Sequence, residues 1–125
     1  MKRGFTNLRK EILKYIEQSE QPLTAKEIYQ MLQSKPNLST VYRALDYLCK
    51  NKYVKTISFS SEGNYFYSAK MEHSHFIYCK ECTEIKTFDD CFAEKIQDNV
   101  EDKFDYKITD HIFYFSGICN TCLEN

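Results

Sequence analysis

The sequence predicts an α+β chain of two small units: three helices and a hairpin in front, and strands around one helix behind. Three observations predict it. Apolar residues recur at helical spacing three times before residue 50, then give way to two short strand-like runs. Two Cys-x-x-Cys pairs, Cys79/Cys82 and Cys119/Cys122, and all three histidines, His73, His75 and His111, lie behind residue 72. The net charge of -1 divides unequally: residues 1–55 hold 11 Lys/Arg against 5 Asp/Glu (+6), and residues 56–125 hold 6 against 13 (-7).

A chain of 125 residues suits one domain or two small ones. Domains of ~60 residues are marginal alone and often need metals or oligomerisation. No run of ~18 apolar residues exists, and the N-terminus lacks the apolar stretch of a signal peptide. We therefore expect a cytoplasmic protein without a membrane partner. There, six cysteines suggest metal or redox chemistry before structural disulfides.

Thr6 or Asn7 can cap a first helix whose apolar face is Leu8, Ile12, Tyr15 and Ile16. Gln21-Pro22 breaks it. Thr24-Ala25-Lys26-Glu27 is a capping box, and Ile28, Met31 and Leu32 form the inner stripe of a second helix. Ser34–Asn37 turns into a third helix starting near Ser39, with Val41, Ala44, Leu45 and Leu48 inward and Asn51 at its end. Tyr53–Phe59 and Asn64–Ser68 are strand-like, with Ser60-Ser61-Glu62-Gly63 as the turn between them. Three helices followed by a hairpin is the winged-helix order, in which the third helix enters the DNA major groove. That helix offers Ser39, Thr40, Tyr42 and Arg43 off its buried stripe. Arg can bond guanine bidentately, an aromatic ring or Thr can meet a thymine methyl, and Ser or Thr at a helix N-terminus can hold phosphate. With the basic excess, this points to double-stranded DNA as partner.

Behind a polar linker, Phe76–Cys79 and Ile85–Phe88 read as strands. Asp89 or Asp90 opens a helix to about Val100, with Phe92, Ile96 and Val100 on one face. Tyr106–Phe115 reads as a last strand, apolar on both faces at Ile112–Phe115, which suggests that a second copy covers one side. The reading gives a winged-helix DNA-binding domain at 1–68, a hinge at 69–73 and a dimerisation and metal-binding domain at 74–125.

The two cysteine pairs are separated by 36 residues (119 - 82 - 1). Four thiolates around one ion form the usual closed structural zinc site. Cys49 and Cys91 have no such partner and read as buried or incidental thiols. His73 and His75, two apart, share a side of an extended strand, and His111 on another strand and Glu94 on the helix can join them. Such a set suits zinc, and also iron, manganese or nickel. Spacing alone leaves open whether these histidines are merely surface or core residues.

Taken together these residues resemble the ferric uptake regulator family of bacterial metal-sensing repressors over nearly the whole chain. The match is carried by Leu8-Arg9, by Thr24-Ala25-Lys26-Glu27-Ile28-Tyr29, and by Leu38-Ser39-Thr40-Val41-Tyr42-Arg43-Ala44-Leu45. Behind these come the His-rich strand, Cys79-x-x-Cys82, His111 eight residues before Cys119, and Gly117-x-Cys119-x-x-Cys122. The resemblance implies a homodimeric repressor with a structural zinc at Cys79, Cys82, Cys119 and Cys122. It further implies Arg9 as a phosphate contact and a regulatory metal at His73, His75, Glu94 and His111.

The departures are informative. The family's interdomain sensor positions hold Phe76, Ser74, Pro22, Tyr67 and Thr87, so that site is expected to be absent. The family's glycine after the second cysteine is Thr83. Where iron sensors often carry an aspartate, this chain has His75, and three imidazoles with one carboxylate favour Zn2+ over Fe2+ or Mn2+. A zinc uptake regulator is thus the expected type. An iron or manganese regulator, or a relative with structural metals only, stays open. A zinc hydrolase is disfavoured, because four side chains would close the position that catalytic zinc keeps for water.

Overall fold

The computed structural model describes residues 6–61, 63–71 and 73–125. They form two compact units that separate in sequence between residues 72 and 73. Residues 1–5 of the expected first domain, Glu62 of the expected turn and Glu72 of the expected hinge lie outside the described residues.

In the front unit, α1 (Asn7–Gln18) opens at Thr6, whose hydroxyl accepts the Arg9 N–H at 3.2 Å. This satisfies one of the donors that a helix start leaves over. Ile12 and Ile16 are buried, with Leu8 and Tyr15 packed beside them. A two-residue strand, β1 (Leu23–Thr24), follows; it is too short for any periodicity to reveal. Thr24 also caps α2 (Ala25–Met31). Its Oγ1 accepts the Glu27 N–H at 3.1 Å, and Glu27 Oε1 accepts the Thr24 N–H at 2.9 Å, the expected capping box. Ile28 and Leu32 enter the core, but Met31 is 40% exposed, contrary to expectation. The helix ends at Met31, and the extended Leu32 takes the core position instead.

All four expected residues of α3 (Leu38–Lys50), Val41, Ala44, Leu45 and Leu48, are buried, and Asn51 caps its end. The hairpin β2 (Val54–Ile57) and β3 (Tyr65–Ser68) is shorter than expected, chiefly at its turn end, where Ser58, Phe59 and Asn64 fall outside the strands. It pairs antiparallel from Val54↔Ser68 to Ile57↔Tyr65, and β1 joins the other edge of β3. The unit is a winged helix. Ala69–Met71 form a 3-10 turn tied to it: the Ala69 N–H donates to the Tyr53 carbonyl at 3.0 Å, and Lys70 pairs with Glu17 at 3.1 Å.

The back unit has a three-stranded sheet, ordered β5 (Ile85–Phe88), β4 (His75–Cys79), β6 (Tyr114–Gly117), with β4 and β5 antiparallel and β4 and β6 parallel. Two expectations fail here. The last strand starts at Tyr114 rather than Tyr106, because α4 (Ala93–Phe104) runs on and ends in a left-handed Asp105. Beyond it the Tyr106 N–H donates to the Glu101 carbonyl, the Ile108 N–H to Glu101 Oε2 at 2.7 Å, and the His111 N–H to its neighbour Asp110 Oδ1 at 2.8 Å. Local acceptors thereby take donors that a strand would offer a neighbour. Second, α4 begins at Ala93, later than Asp89 or Asp90, and none of its residues is buried; Phe92, just ahead of it, is 63% exposed. Periodicity marks an apolar face but not what covers it. A four-residue helix, α5 (Asn120–Leu123), closes the chain. Among the described residues no helix is long and apolar enough to cross a membrane.

Candidate functional site

The parallel pairing of β4 with β6 explains how cysteines 36 residues apart meet. Cys79 lies opposite Gly117, and the Lys80 N–H donates to the Gly117 carbonyl at 2.8 Å, so both knuckles leave the same end of the sheet. Cys79 Sγ lies 3.8 Å from Cys122 Sγ, and Cys82 Sγ lies 3.8 Å from Cys119 Sγ. A tetrahedral zinc with ~2.3 Å bonds to sulfur has edges of ~3.8 Å. A disulfide would need ~2.05 Å, and all four sulfurs are free.

The cluster's electrostatics also fit a dication. The Cys82 backbone N–H, and then that of Cys119, pull the Cys79 thiol down to about 6. The Cys119 side chain, burial and the other two sulfurs push Cys122 up to about 12. For Cys82 the Glu84 backbone N–H favours the thiolate, but Cys79, burial and Cys119 together outweigh it and raise the pKa. One sulfur ionises easily and suppresses its neighbours; a bound cation removes that repulsion.

The first knuckle turns at Thr83, where φ is 68°, and the Thr83 N–H donates to the Cys79 carbonyl at 2.9 Å. A side chain in the left-handed region costs ~1–2 kcal/mol, partly recovered as lower unfolded-state entropy. Thr83→Gly is therefore expected to stabilise the fold by ~0.5–1 kcal/mol. The check is a raised thermal midpoint at equal zinc content; an unchanged or lower midpoint would show that the Thr83 hydroxyl, bonded to the Cys82 carbonyl, matters more.

A second group joins His75, His111 and Cys91, whose ligand atoms all lie within 4.8 Å of one another. His75 begins β4, is 3% exposed, and stacks on Phe113 at a centroid separation of 4.0 Å. Burial lowers its pKa, as does the charge of His111; a Phe113 backbone hydrogen bond opposes this only in part. The ring is thus held neutral, the form that ligates. His111 reaches the group from the irregular segment before β6, not from a strand. His73 and Glu94 do not join this close group. His73 is exposed and precedes β4, so the two histidines do not share one strand, and Glu94 is exposed in the first turn of α4. Cys91, expected to be incidental, lies 3.1 Å from His111 Nε2. The signal for it was slight: a cysteine in the half that carries every histidine. Of the unused sensor positions, Phe76 is buried and lies opposite Thr87 on β5.

On the front unit, Ser39, Tyr42 and Arg43 are exposed along α3 and Thr40 is half-buried. Tyr42, at 53% exposure, is not a core aromatic. The Arg9 guanidinium lies 3.9 Å over the Tyr47 ring, a cation–π contact that holds it beside α3.

The family model of the ferric uptake regulator family matches residues 3–116. The ferric uptake regulation protein of Campylobacter upsaliensis is 32% identical over 124 residues, covering 94% of this chain and 79% of that protein. Its Campylobacter jejuni counterpart is 30% identical over 123 residues, covering 94% and 78%. The structure of the Helicobacter pylori ferric uptake regulator, which has three functional metal binding sites, superposes with a TM-score of 0.82 at 28% identity, covering 96% of this chain and 82% of that one.

Proposed function

The chain belongs to the ferric uptake regulator family, and from that premise we propose that it is a zinc-responsive repressor that binds its operator as a homodimer. It is a metal-responsive, DNA-binding regulator of a family whose members regulate transcription and are not enzymes. The observation that carries the regulatory site is the convergence of His75 and His111. We assign the metal there, with His73 and Glu94 as the further ligands that close on it, and a structural zinc to Cys79, Cys82, Cys119 and Cys122. A donor set rich in imidazole favours zinc. The second reading, an iron or manganese regulator using the same site, is favoured by the ferric names of the relatives.

Dimerisation is supported by apolar side chains that the back unit leaves exposed, Phe92, Ile96, Phe104, Ile112 and Phe115 among them. A single copy rarely exposes so many unless a partner covers them. The hinge, which we assign to residues 69–73, would let metal set the spacing of the two α3 helices on successive grooves. Base reading is assigned to Arg43 and Tyr42, phosphate to Ser39, Thr40 and Arg9.

The test is a gel shift with zinc, ferrous iron and manganese titrated separately at buffered free concentrations. Zinc is expected to drive operator binding at the lowest free concentration; a response to iron or manganese alone would select the second reading. Arg43→Ala should cost ~1–3 kcal/mol and relax base preference at one position. Arg9→Ala should weaken all sequences alike and flatten the salt dependence. Fluorescence anisotropy over operator variants and salt separates the two, and wild-type affinity in Arg43→Ala would remove that assignment.

A further inference from the structure

We propose that Cys91 is a ligand of the second metal, making it a mixed imidazole–thiolate site with His75 and His111; this rests on the reading of that site as the regulatory one. Two independent observations point to it. Cys91 Sγ lies 3.1 Å from His111 Nε2, and the three ligand atoms share one small volume. His75 Nε2, on a ring that is 3% exposed, has no hydrogen-bond partner among the described residues, while the Phe113 backbone bonds the same imidazole. A buried polar atom left unpaired is costly and calls for an explanation. A metal ion accepting that nitrogen's lone pair supplies one.

The dimensions suit zinc. Bonds of ~2.05 Å to nitrogen and ~2.3 Å to sulfur at a tetrahedral angle separate N from S by ~3.5 Å. The observed 3.1 Å contact has to open by less than about half an ångström. The Sγ–metal bond forms as the Cys91 thiol gives its proton to solvent. The fourth position is open to Glu94, three residues beyond Cys91 in the first turn of α4, or to His73 ahead of β4.

The placement has two consequences. A thiolate donor shifts the preference further toward zinc and away from manganese, which prefers oxygen ligands. Cys91 lies just before α4 and His111 beyond its end, while His75 lies on β4. One ion bound by all three therefore fastens the chain at both ends of α4 to the sheet. That gives metal a direct hold on the helix whose apolar face is left exposed.

The experiment loads the full chain with one equivalent of zinc in the four-cysteine site, verified by metal analysis, and then titrates cobalt(II). The expected result is a near-ultraviolet thiolate-to-cobalt charge-transfer band that saturates at one further equivalent. In Cys91→Ser the band should be lost, with metal affinity weaker by at least the roughly 10–100-fold that loss of an outer-shell partner costs. Cobalt bound without that band, no cobalt bound beyond the structural zinc, or an unchanged band in Cys91→Ser would each overturn the proposal. Because the variant could misfold, alkylation of Cys91 in the wild-type chain is followed by peptide mass spectrometry as well. Zinc added beyond the first equivalent should protect it, and equal rates with and without zinc would overturn the proposal. Operator binding is measured in parallel. A charge-transfer band without metal-stimulated operator binding would sink the sensor reading and leave Cys91 as a ligand; stimulation without the band would do the reverse.

Discussion

Cys119→Ser/Cys122→Ser is expected to lose one zinc per chain and, with it, the folded back unit and the dimer. The back unit's buried side chains are few: Phe76, Tyr78, Cys79 and Ile85, with His75 among them. A unit of this size is marginal without a staple. Structural zinc in small folds contributes ~10–16 kcal/mol of apparent binding free energy, as much as or more than the ~5–15 kcal/mol by which whole domains are stable. Two serines leave two thiols, which cannot close a tetrahedron. The front unit has its own core around Ile12, Ile28, Val41 and Leu48, so its helices should survive. Metal analysis should show one zinc fewer, sedimentation should show monomer, and circular dichroism should keep the front-unit helices. A zinc-free variant that stays dimeric with an intact cooperative transition would refute a structural role.

How much of this could be read in the residues differs between the two units. The winged helix was legible almost in full, because its three helices and its hairpin bury most of their periodic faces within the unit. Val41, Ala44, Leu45 and Leu48 on α3 and the Thr24–Glu27 capping box are the clearest cases. The short β1 was not legible, since two residues carry no period. The four-cysteine site was legible because knuckle spacing alone directs sulfurs at a common point. The histidine group was only half legible. Alternation predicts extended strand at His73 and at His111, yet β4 starts at His75 and His111 lies in a segment whose donors go to Glu101 and Asp110. Cys91 could not be foreseen as a partner, because no residue spacing links it to His111; the path of the chain around α4 does. The exposed face of α4 has a third cause: an apolar stripe looks the same in sequence whether its own unit or a second copy covers it.

His111→Ala is the second large effect, and it bears on the claim that the His75–His111 site is where metal is sensed. Removing this imidazole leaves His75 and, on the proposal above, Cys91 as the close donors, two where a closed zinc shell needs four. The four-cysteine cluster lies at the other end of β4, so the zinc proposed there should stay, as should the dimer. On the proposed hinge, metal acts only through its differential affinity for two placements, so its loss should leave the operator-competent one at its metal-free population. No ligand is proposed in the front unit, and coupling must pass through the frame of the back unit. We therefore expect it to stay below ~3 kcal/mol, at most about 150-fold in operator affinity. The direct measurement is operator affinity against buffered free zinc, by fluorescence anisotropy, for the wild type and His111→Ala, each holding one structural zinc. The wild-type affinity should rise by tens-fold on filling the second site, and His111→Ala should stay flat at the metal-free wild-type value. If the variant binds as tightly as the zinc-loaded wild type at every zinc concentration, the site is structural, and DNA binding does not depend on the second metal.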